Sequence, residues 1–591
     1  MTKASGSTTG QDGAVEFTLR AILTGMVIGA ALTPCNVYSG LKIGWSFNMS
    51  IAAGLIGAGL WRLAQDLMRT RPLGLLENNI NQTTASSSAS IVSGGLVAPI
   101  PALAMLTGQT LAWHLLAFWV LAVSLLGVVV AAGIRRQMIE REALRFPAGV
   151  ATAETMTQIH GTGGEAAARL RVLTSAAAVS GALKLAVDLL AAAPRLAPPV
   201  ALPAIGALRG AVPGGITFHN LGFALDPSLL MIGFGAIIGL RAGISLLAGA
   251  LLAWGVLAPG VLALGWAEPG PPDAVWFETL ITWLLWPGVT LIVVSALVSL
   301  AVSLGRLAAG TRRRGVRDTA GPGRAQGLAL IAATTLVVLA STTVFDLRVI
   351  DALMAVALSY VLAAVAARVT GETGVTPIGA LGKITQFSFG ALTPGDMTAN
   401  LMTANVTGGA AGQCADLMDD LKTGYLVGAT PRLQVLAQAF GVLTGSLVGT
   451  AVYLVLVPDP AAMLITPEWP APAVATWKAV AEVLAGGMAA LPEGTPPAMA
   501  VAAVAGVALG LAERLCPLRI ARALPSAPAI GLAFVIPAWN SISLFLGALA
   551  GALLARAAPG WAPRRTTSLA AGLVAGESLV GVGLALASLM G

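Results

Sequence analysis

Runs of about 20 residues with almost no ionisable side chain recur along this chain, among them 325–345, 347–367 and 435–457. A helix of that length is what crossing the hydrocarbon core of a bilayer requires. An open sheet cannot do it, because backbone groups in lipid must be satisfied inside the segment. Such runs follow one another from residue 17 to residue 590. Only 10% of the 591 residues are charged, where a soluble chain carries about 25%. The predicted fold class is an all-α polytopic membrane protein.

Helix-sized segments are predicted at 17–34, 46–66, 80–106, 109–133, 168–193, 221–240, 242–265, 277–305, 325–345, 347–369, 430–457, 474–491, 497–513, 529–556 and 567–590. Half-sized apolar stretches remain at 146–159 and 376–412, giving about 14 to 16 crossings. Charge bias orients them. The loop 306–324 carries Arg306, Arg312, Arg313, Arg314, Arg317 and Arg324 against Asp318, and 134–145 adds Arg135, Arg136, Arg141 and Arg145. By the positive-inside rule both are cytoplasmic, while 266–278 and 458–470, with acids and no base, suit the outer face. These loops also explain the net charge of +7 without a nucleic-acid partner. The expected organisation is a polar cytoplasmic N-terminus (1–16), a first transmembrane half (17–305), the basic loop (306–324) and a second half (325–591). Residues 1–16 lack the basic-then-apolar pattern of a secretory leader. Cys35, Cys414 and Cys516 have no paired spacing and read as small packing residues.

Two stretches are too polar to face lipid, Glu77–Pro101 and the region from Gly390 to Asp420. If Arg368 and Arg432 are both inside, 375–429 must enter and leave on one side, as a re-entrant or broken helix. Irregular backbone at that depth survives only when buried in protein or lining water. A faint repeat links the halves. "GLKIGW" (40–45) echoes "DLKTGY" (420–425), and "RFPAGVA" (145–151) echoes "ALPSAPA" (523–529), at offsets of 380 and 378. Gly25/Gly29, Gly445/Gly449, Gly547/Gly551 and Gly572/Gly576 are small-xxx-small pairs that let helices approach closely.

An ionisable side chain at membrane depth costs at least about 2–3 kcal/mol, so each is a functional candidate. Those in view are Lys42, Asp66, Glu77, Glu154, Lys184, Asp188, Glu372, Lys383, Asp396, Asp416, Asp419, Asp420, Lys422 and Glu577. Lys184 and Asp188, at i,i+4, read as a mutual pair. Glu154, in the apolar "FPAGVATAETM", is the leading proton-coupling candidate because burial there would make its charge costly. Asp416, Asp419 and Asp420, close to Lys422, come next. Enzyme signatures are missing. "GALGKIT" lacks the glycine spacing of a phosphate-binding loop, there is no G-x-S-x-G or H-E-x-x-H, and the three histidines are scattered.

"NVYSGLKIGWSFNMSI", "RFPAGVATAETM", "GKITQFSFGAL", "ADLMDDLKTGYLVGATPRLQ" and "SLAAGLVAGESLVGVGLALASL" lie in order along nearly the whole chain. Together they resemble the oligopeptide transporter (OPT) family, which includes the yellow stripe-like metal-chelate transporters. The resemblance implies a secondary transporter of about 16 helices in two halves, carrying small peptides or peptide-like metal chelates, usually with protons. The expected ligand contacts are Asn36, Tyr38, Lys42, Asn78, Asn81, Gln82, Asn400, Asn405, Gln413, Lys422 and Tyr425. Glu77–Ser93 and Thr398–Gln413 are expected to meet around one cavity near the midplane. The scarcity of His and Cys argues against a site for a naked soft metal. No cofactor is expected. The expected partners are the ligand, protons and the lipid of the cell membrane, and a homodimer is compatible with the sequence. The rival readings are a chelate carrier of the same family, a channel, an intramembrane enzyme and a regulatory membrane subunit.

Overall fold

The computed structural model describes residues 15–46, 48–161, 163–190, 195–197, 215–311, 324–487 and 491–590. Most of the N-terminal tail and of the basic loop therefore lies outside the described residues. In chain order, the first helices are α1 (Leu19–Ile43), α2 (Ser50–Met68), α3 (Leu75–Ala89), α4 (Pro99–Thr107) and α5 (Trp113–Arg135). Next come α6 (Pro147–Gly161), α7 (Gly163–Leu190), α8 (Leu229–Ile238), α9 (Leu240–Ala250), α10 (Ala258–Ala263) and α11 (Phe277–Thr311). The second part holds α12 (Arg324–Val344), α13 (Val349–Thr373), α14 (Ile378–Leu392), α15 (Met397–Val427), α16 (Pro431–Leu456) and α17 (Pro460–Met463). It ends with α18 (Pro472–Gly486), α19 (Thr495–Leu515), α20 (Leu518–Ala523), α21 (Ala527–Val535), α22 (Ala538–Ala557) and α23 (Ala562–Met590).

No strand occurs among the described residues, which form an all-α polytopic membrane protein. Twelve helical stretches among them are long and apolar enough to cross a membrane. The expected 14 to 16 is approached only by counting α2 and α15, which have the length but are too polar to meet the same criterion. Two predicted helices differ in form. The stretch 221–240 becomes helical only at Leu229–Ile238 and again at Leu240, where α9 begins, because Asn220 and its neighbours are tied into a turn through Pro272 and Ala274. The stretch 529–556 is cut between α21 and α22, where Pro537 cannot continue the ladder.

The glycine pairs do what their spacing predicts. A Cβ at Gly441 would stand 2.2 Å from the Thr84 carbonyl oxygen, and one at Gly25 would stand 2.7 Å from that of Asn81. The polar helix α3 is thus sandwiched at backbone distance between α1 and α16. Gly547 against Ile232 and Gly576 against Ala177 are as close, at 2.1 Å each, and weld α22 to α8 and α23 to α7. Glu77 anchors the start of α3. It accepts hydrogen bonds from Thr18 Oγ1 (2.9 Å), Arg20 Nε (3.0 Å) and Arg71 Nη2 (2.8 Å), a structural cluster rather than a free charge.

The re-entrant reading of 375–429 matches the structure. Phe345 and Asn405 both touch Trp119, while Gly371 and Asp419 both touch the start of α6, at Phe146 and Gly149, so α13 and α15 run the same way. Between them α14 runs back antiparallel to α15, with contacts from Gln386–Asn400 to Ile378–Gly412. The segment leaves and returns on one side.

Candidate functional site

Four helices begin where the bundle is deepest, and each begins with proline. Pro147 opens α6, Pro377 caps α14, Pro472 opens α18 and Pro528 sits in the first turn of α21. Proline fits this place because the first turn needs no backbone N–H from it and its φ is already helical. Starting a helix at membrane depth leaves its first N–H groups directed at the centre, the positive end of the helix dipole. A fifth element contributes through a break. After α3 the chain makes a 3-10 turn at Ser90–Gly94, then Gly95 at φ 111°, where a side chain would meet Asn405 Oδ1 at 2.3 Å.

These ends enclose a cavity of about 550 Å³. Its walls include the end of α1 (Ile43, Gly44), the α3 break (Ser90, Ser93), the turn before α14 (Thr376) and α15 (Asn405, Asp416, Asp419). The volume lies in the range of small-ligand sites.

Lys383 lines this cavity although only 2% of its surface is exposed. Its ammonium donates to Gln386 Oε1 at 2.5 Å and stands 4.2 Å from the centroid of the Trp477 ring. Gln386 is held in turn by Asn400, Nε2 to Oδ1 at 3.0 Å and Nδ2 to the Gln386 carbonyl at 2.6 Å. Among the described residues Lys383 belongs to no ion pair. Its amine is fixed in place at the cavity wall.

On α15, three aspartates point to different neighbours. Asp416, half-buried, lines the cavity and takes a hydrogen bond from Ser90. Asp419 accepts from the backbone N–H of Gly149 at 3.2 Å, in the first turn of α6. Asp420 accepts from Ser50 Oγ at 2.9 Å, at the first residue of α2. Two adjacent carboxylates thus rest on the starts of two different helices, where the dipole favours negative charge. A movement of α2 or α6 would change the setting of one carboxylate at a time.

The structure sorts the sequence candidates sharply. Asn405, Asp416 and Asp419 line the cavity. Gln413 stands behind the wall, accepting from Ser93 Oγ at 3.3 Å. Asn400 is used in holding Gln386. The amide-rich part of α3 is not at the cavity. Asn78 donates to the Gly54 carbonyl (3.1 Å), Asn81 to Asn78 (3.2 Å) and Gln82 to Thr83 (3.0 Å), all buried between helices. Asn36, also buried, donates to the Ala89 carbonyl at 3.0 Å. The expected meeting of 77–93 with 398–413 is therefore realised at the Ser90–Ser93 break and Asn405, not along the Asn and Gln run. Lys422 lies 5.6 Å from the ring of Tyr425, itself exposed at the far end of α15. Tyr38 packs edge-on to Trp469, and Lys42 opens into a separate cleft. Glu154 is exposed on α6 rather than enclosed, because that helix turns Thr152, Ala153, Thr155 and Met156 inward and Glu154 out. Sequence reasoning placed Lys383 among the ionisable residues but not among the ligand contacts. Its signal was a lysine in "GKITQF", a segment otherwise able to enter the membrane.

A multi-helix membrane protein with a mid-depth cavity ringed by broken helices has the architecture of a transporter. The chain belongs to the OPT oligopeptide transporter protein family, whose profile matches residues 16–321 and 323–588. It is similar to a candidate oligopeptide transporter of Saccharomyces cerevisiae, 24% identical over 570 residues, 74% of this chain and 77% of the yeast protein. It is also similar to a protein of Oryza sativa subsp. japonica named for metal-nicotianamine transport, 25% identical over 629 residues, 95% and 88% of the two chains. A Haemophilus influenzae protein, named as a candidate oligopeptide transporter, is 31% identical over 229 residues, 38% of this chain and 32% of that one. The family is one of transporters, not of enzymes.

Proposed function

We propose that this protein is a proton-driven secondary transporter of oligopeptides or peptide-like ligands, which bind in the central cavity. The observation that carries the reading is the polarity of that cavity. Lys383 and the N-termini of α14, α18 and α21 offer positive potential to a ligand carboxylate, while Asp416 and the Ser90 turn offer acceptors to an amine. A peptide, with an anion at one end and a cation at the other, matches both.

Coupling falls to the aspartates of α15. A coupled carboxylate must change its surroundings between the outward and inward states. Asp419 and Asp420 rest on helix starts that belong to α6 and α2, so a shift of either helix does this; the exposed Glu154 has no such lever. We further place the protein in the cell membrane and divide it into two similar halves, 17–305 and 325–591.

A second reading, carriage of a metal chelate, is favoured by the rice relative that aligns with 95% of the chain. Among the described residues no three His, Cys, Asp or Glu side chains stand together as metal ligands. On this reading the metal travels inside its own chelator.

Proteoliposomes offered a mixed pool of peptides and metal chelates, with internal contents identified by mass spectrometry, test the proposal. Saturable accumulation of intact peptide driven by an inward proton gradient supports it. Chelate alone selects the second reading. Non-saturating flux indicates a channel, and altered substrate indicates an enzyme.

A further inference from the structure

Beside the central cavity, on the side of the 458–470 connection, lies a second cleft of about 380 Å³. Most of its charges neutralise one another. Lys184 pairs with Asp188 at 2.9 Å, and Arg195 pairs with Asp226 at 2.8 Å and Glu468 at 3.8 Å. Two charges are left over. Lys42 donates to the main-chain carbonyl of Glu468 and lies 4.7 Å from the centroid of the Trp469 ring, and among the described residues it is in no ion pair. Glu577, 7% exposed, accepts from Ser228 Oγ and the Leu230 N–H, each at 2.8 Å, at the start of α8, and no cation there pairs with it. A purely structural network would join these two opposite charges. Here both face the same open volume.

The wall between cleft and cavity is thin. Lys42 faces the cleft while the next two residues, Ile43 and Gly44, line the cavity. The opposite side of the wall is the strap 468–472, which the Ala471 N–H ties to the Leu41 carbonyl at 3.0 Å.

We propose that this cleft is a second ligand site, an antechamber for a small zwitterion with a free carboxylate and a free amine. Lys42 takes the carboxylate, Glu577 takes the amine, and the strap with its Lys42 link is the partition the ligand passes to reach the cavity. The ligand class rests on the peptide-carrier reading above; the location of the site does not. A carboxylate on Lys42 replaces a neutral carbonyl partner with a charged one, the stronger type of hydrogen bond.

The test is calorimetric titration of the full chain in detergent with trialanine, and with its C-terminal amide and N-acetyl derivatives. Two binding events are expected for the parent protein. Glu577→Gln and Lys42→Gln each remove the same event or weaken it about tenfold or more, Lys42→Arg restores it, and both blocked peptides lose it. Lys383→Gln removes the other event, and the surviving event in each variant reports that it is folded. Trialanine binding unchanged in both Glu577→Gln and Lys42→Gln overturns the second site, whatever Lys383→Gln does. Two events lost together in Glu577→Gln alone, or a single binding event in the parent protein, also overturn it, whereas no trialanine binding by the parent overturns the peptide-carrier reading on which the ligand class rests. If only Lys383→Gln is without effect, the central-cavity reading fails and the antechamber stands.

Discussion

The Nζ of Lys383 stands 4.2 Å from the centroid of the Trp477 ring, buried to 2% exposure with an aromatic face for company, and among the described residues no carboxylate pairs with it. A lysine in that setting costs free energy unless something anionic arrives. The two residues come from α14 and α18, whose N-termini both open on the cavity. Gly382 permits this approach, since a Cβ there would stand 2.4 Å from the Trp477 ring.

Lys383→Gln is accordingly expected to weaken binding of a carboxylate-bearing ligand about tenfold or more, the scale of one charge-assisted hydrogen bond. The glutamine can still donate to Gln386, so the melting temperature in detergent should barely move. Equilibrium binding and a thermal melt on the same sample separate the two effects. Weakened folding with intact affinity would make Lys383 a structural residue.

For coupling, Asp420→Asn should abolish accumulation driven by a pH gradient and leave counterflow exchange, which needs no net proton movement. Glu154→Gln should behave like the parent, because that side chain is exposed. Both assays run on the same proteoliposomes. Gradient-driven uptake that survives Asp420→Asn and fails in Glu154→Gln would reverse the assignment.

The contrast between these two carboxylates shows what the sequence could and could not convey. Class, family and the importance of 413–432 were readable from apolar spans and motif order. The prolines at 147, 377, 472 and 528 stand in the sequence, but only in three dimensions do the helices they start converge on one cavity. Facing was not readable. In α3 the run from Asn78 to Ser90 is polar all round, so no periodicity distinguishes a side chain in a cavity from one buried between helices. Glu154 misled for the opposite reason: a charge in an apolar segment looks buried, and it takes the neighbours of α6 to show which side turns outward. Lys383 was visible as a charge, but its partner Trp477 lies 94 positions away.

Close packing offers a stability test. Gly441→Ala would force a methyl to 2.2 Å from the Thr84 carbonyl oxygen and 2.6 Å from Ser87 Cβ. Separation of α16 from α3 should destabilise the protein by about 1–3 kcal/mol. Gly583→Ala, inside α23 where nothing lies within 4 Å, is the control and should be neutral to slightly stabilising. Denaturation in mild detergent measures both, and equal effects would contradict the packing described.

The orientation can be checked at two exposed positions. Cysteines introduced singly at Asp273 and Arg432, in a chain with its three native cysteines replaced, should react with a membrane-impermeant maleimide from opposite faces of the membrane. Labelling of both from the same face would refute the map.

The central claim is that ligand crosses through the cavity between Lys383 and α15. It is tested most directly by a cysteine at Thr376, which lines that cavity, in the same cysteine-free background. Counterflow of the accepted ligand is measured before and after modification with a bulky thiol reagent, with and without saturating ligand. The account predicts that stoichiometric modification stops counterflow and that bound ligand slows the modification. Full counterflow through a completely modified protein would place the transport path elsewhere.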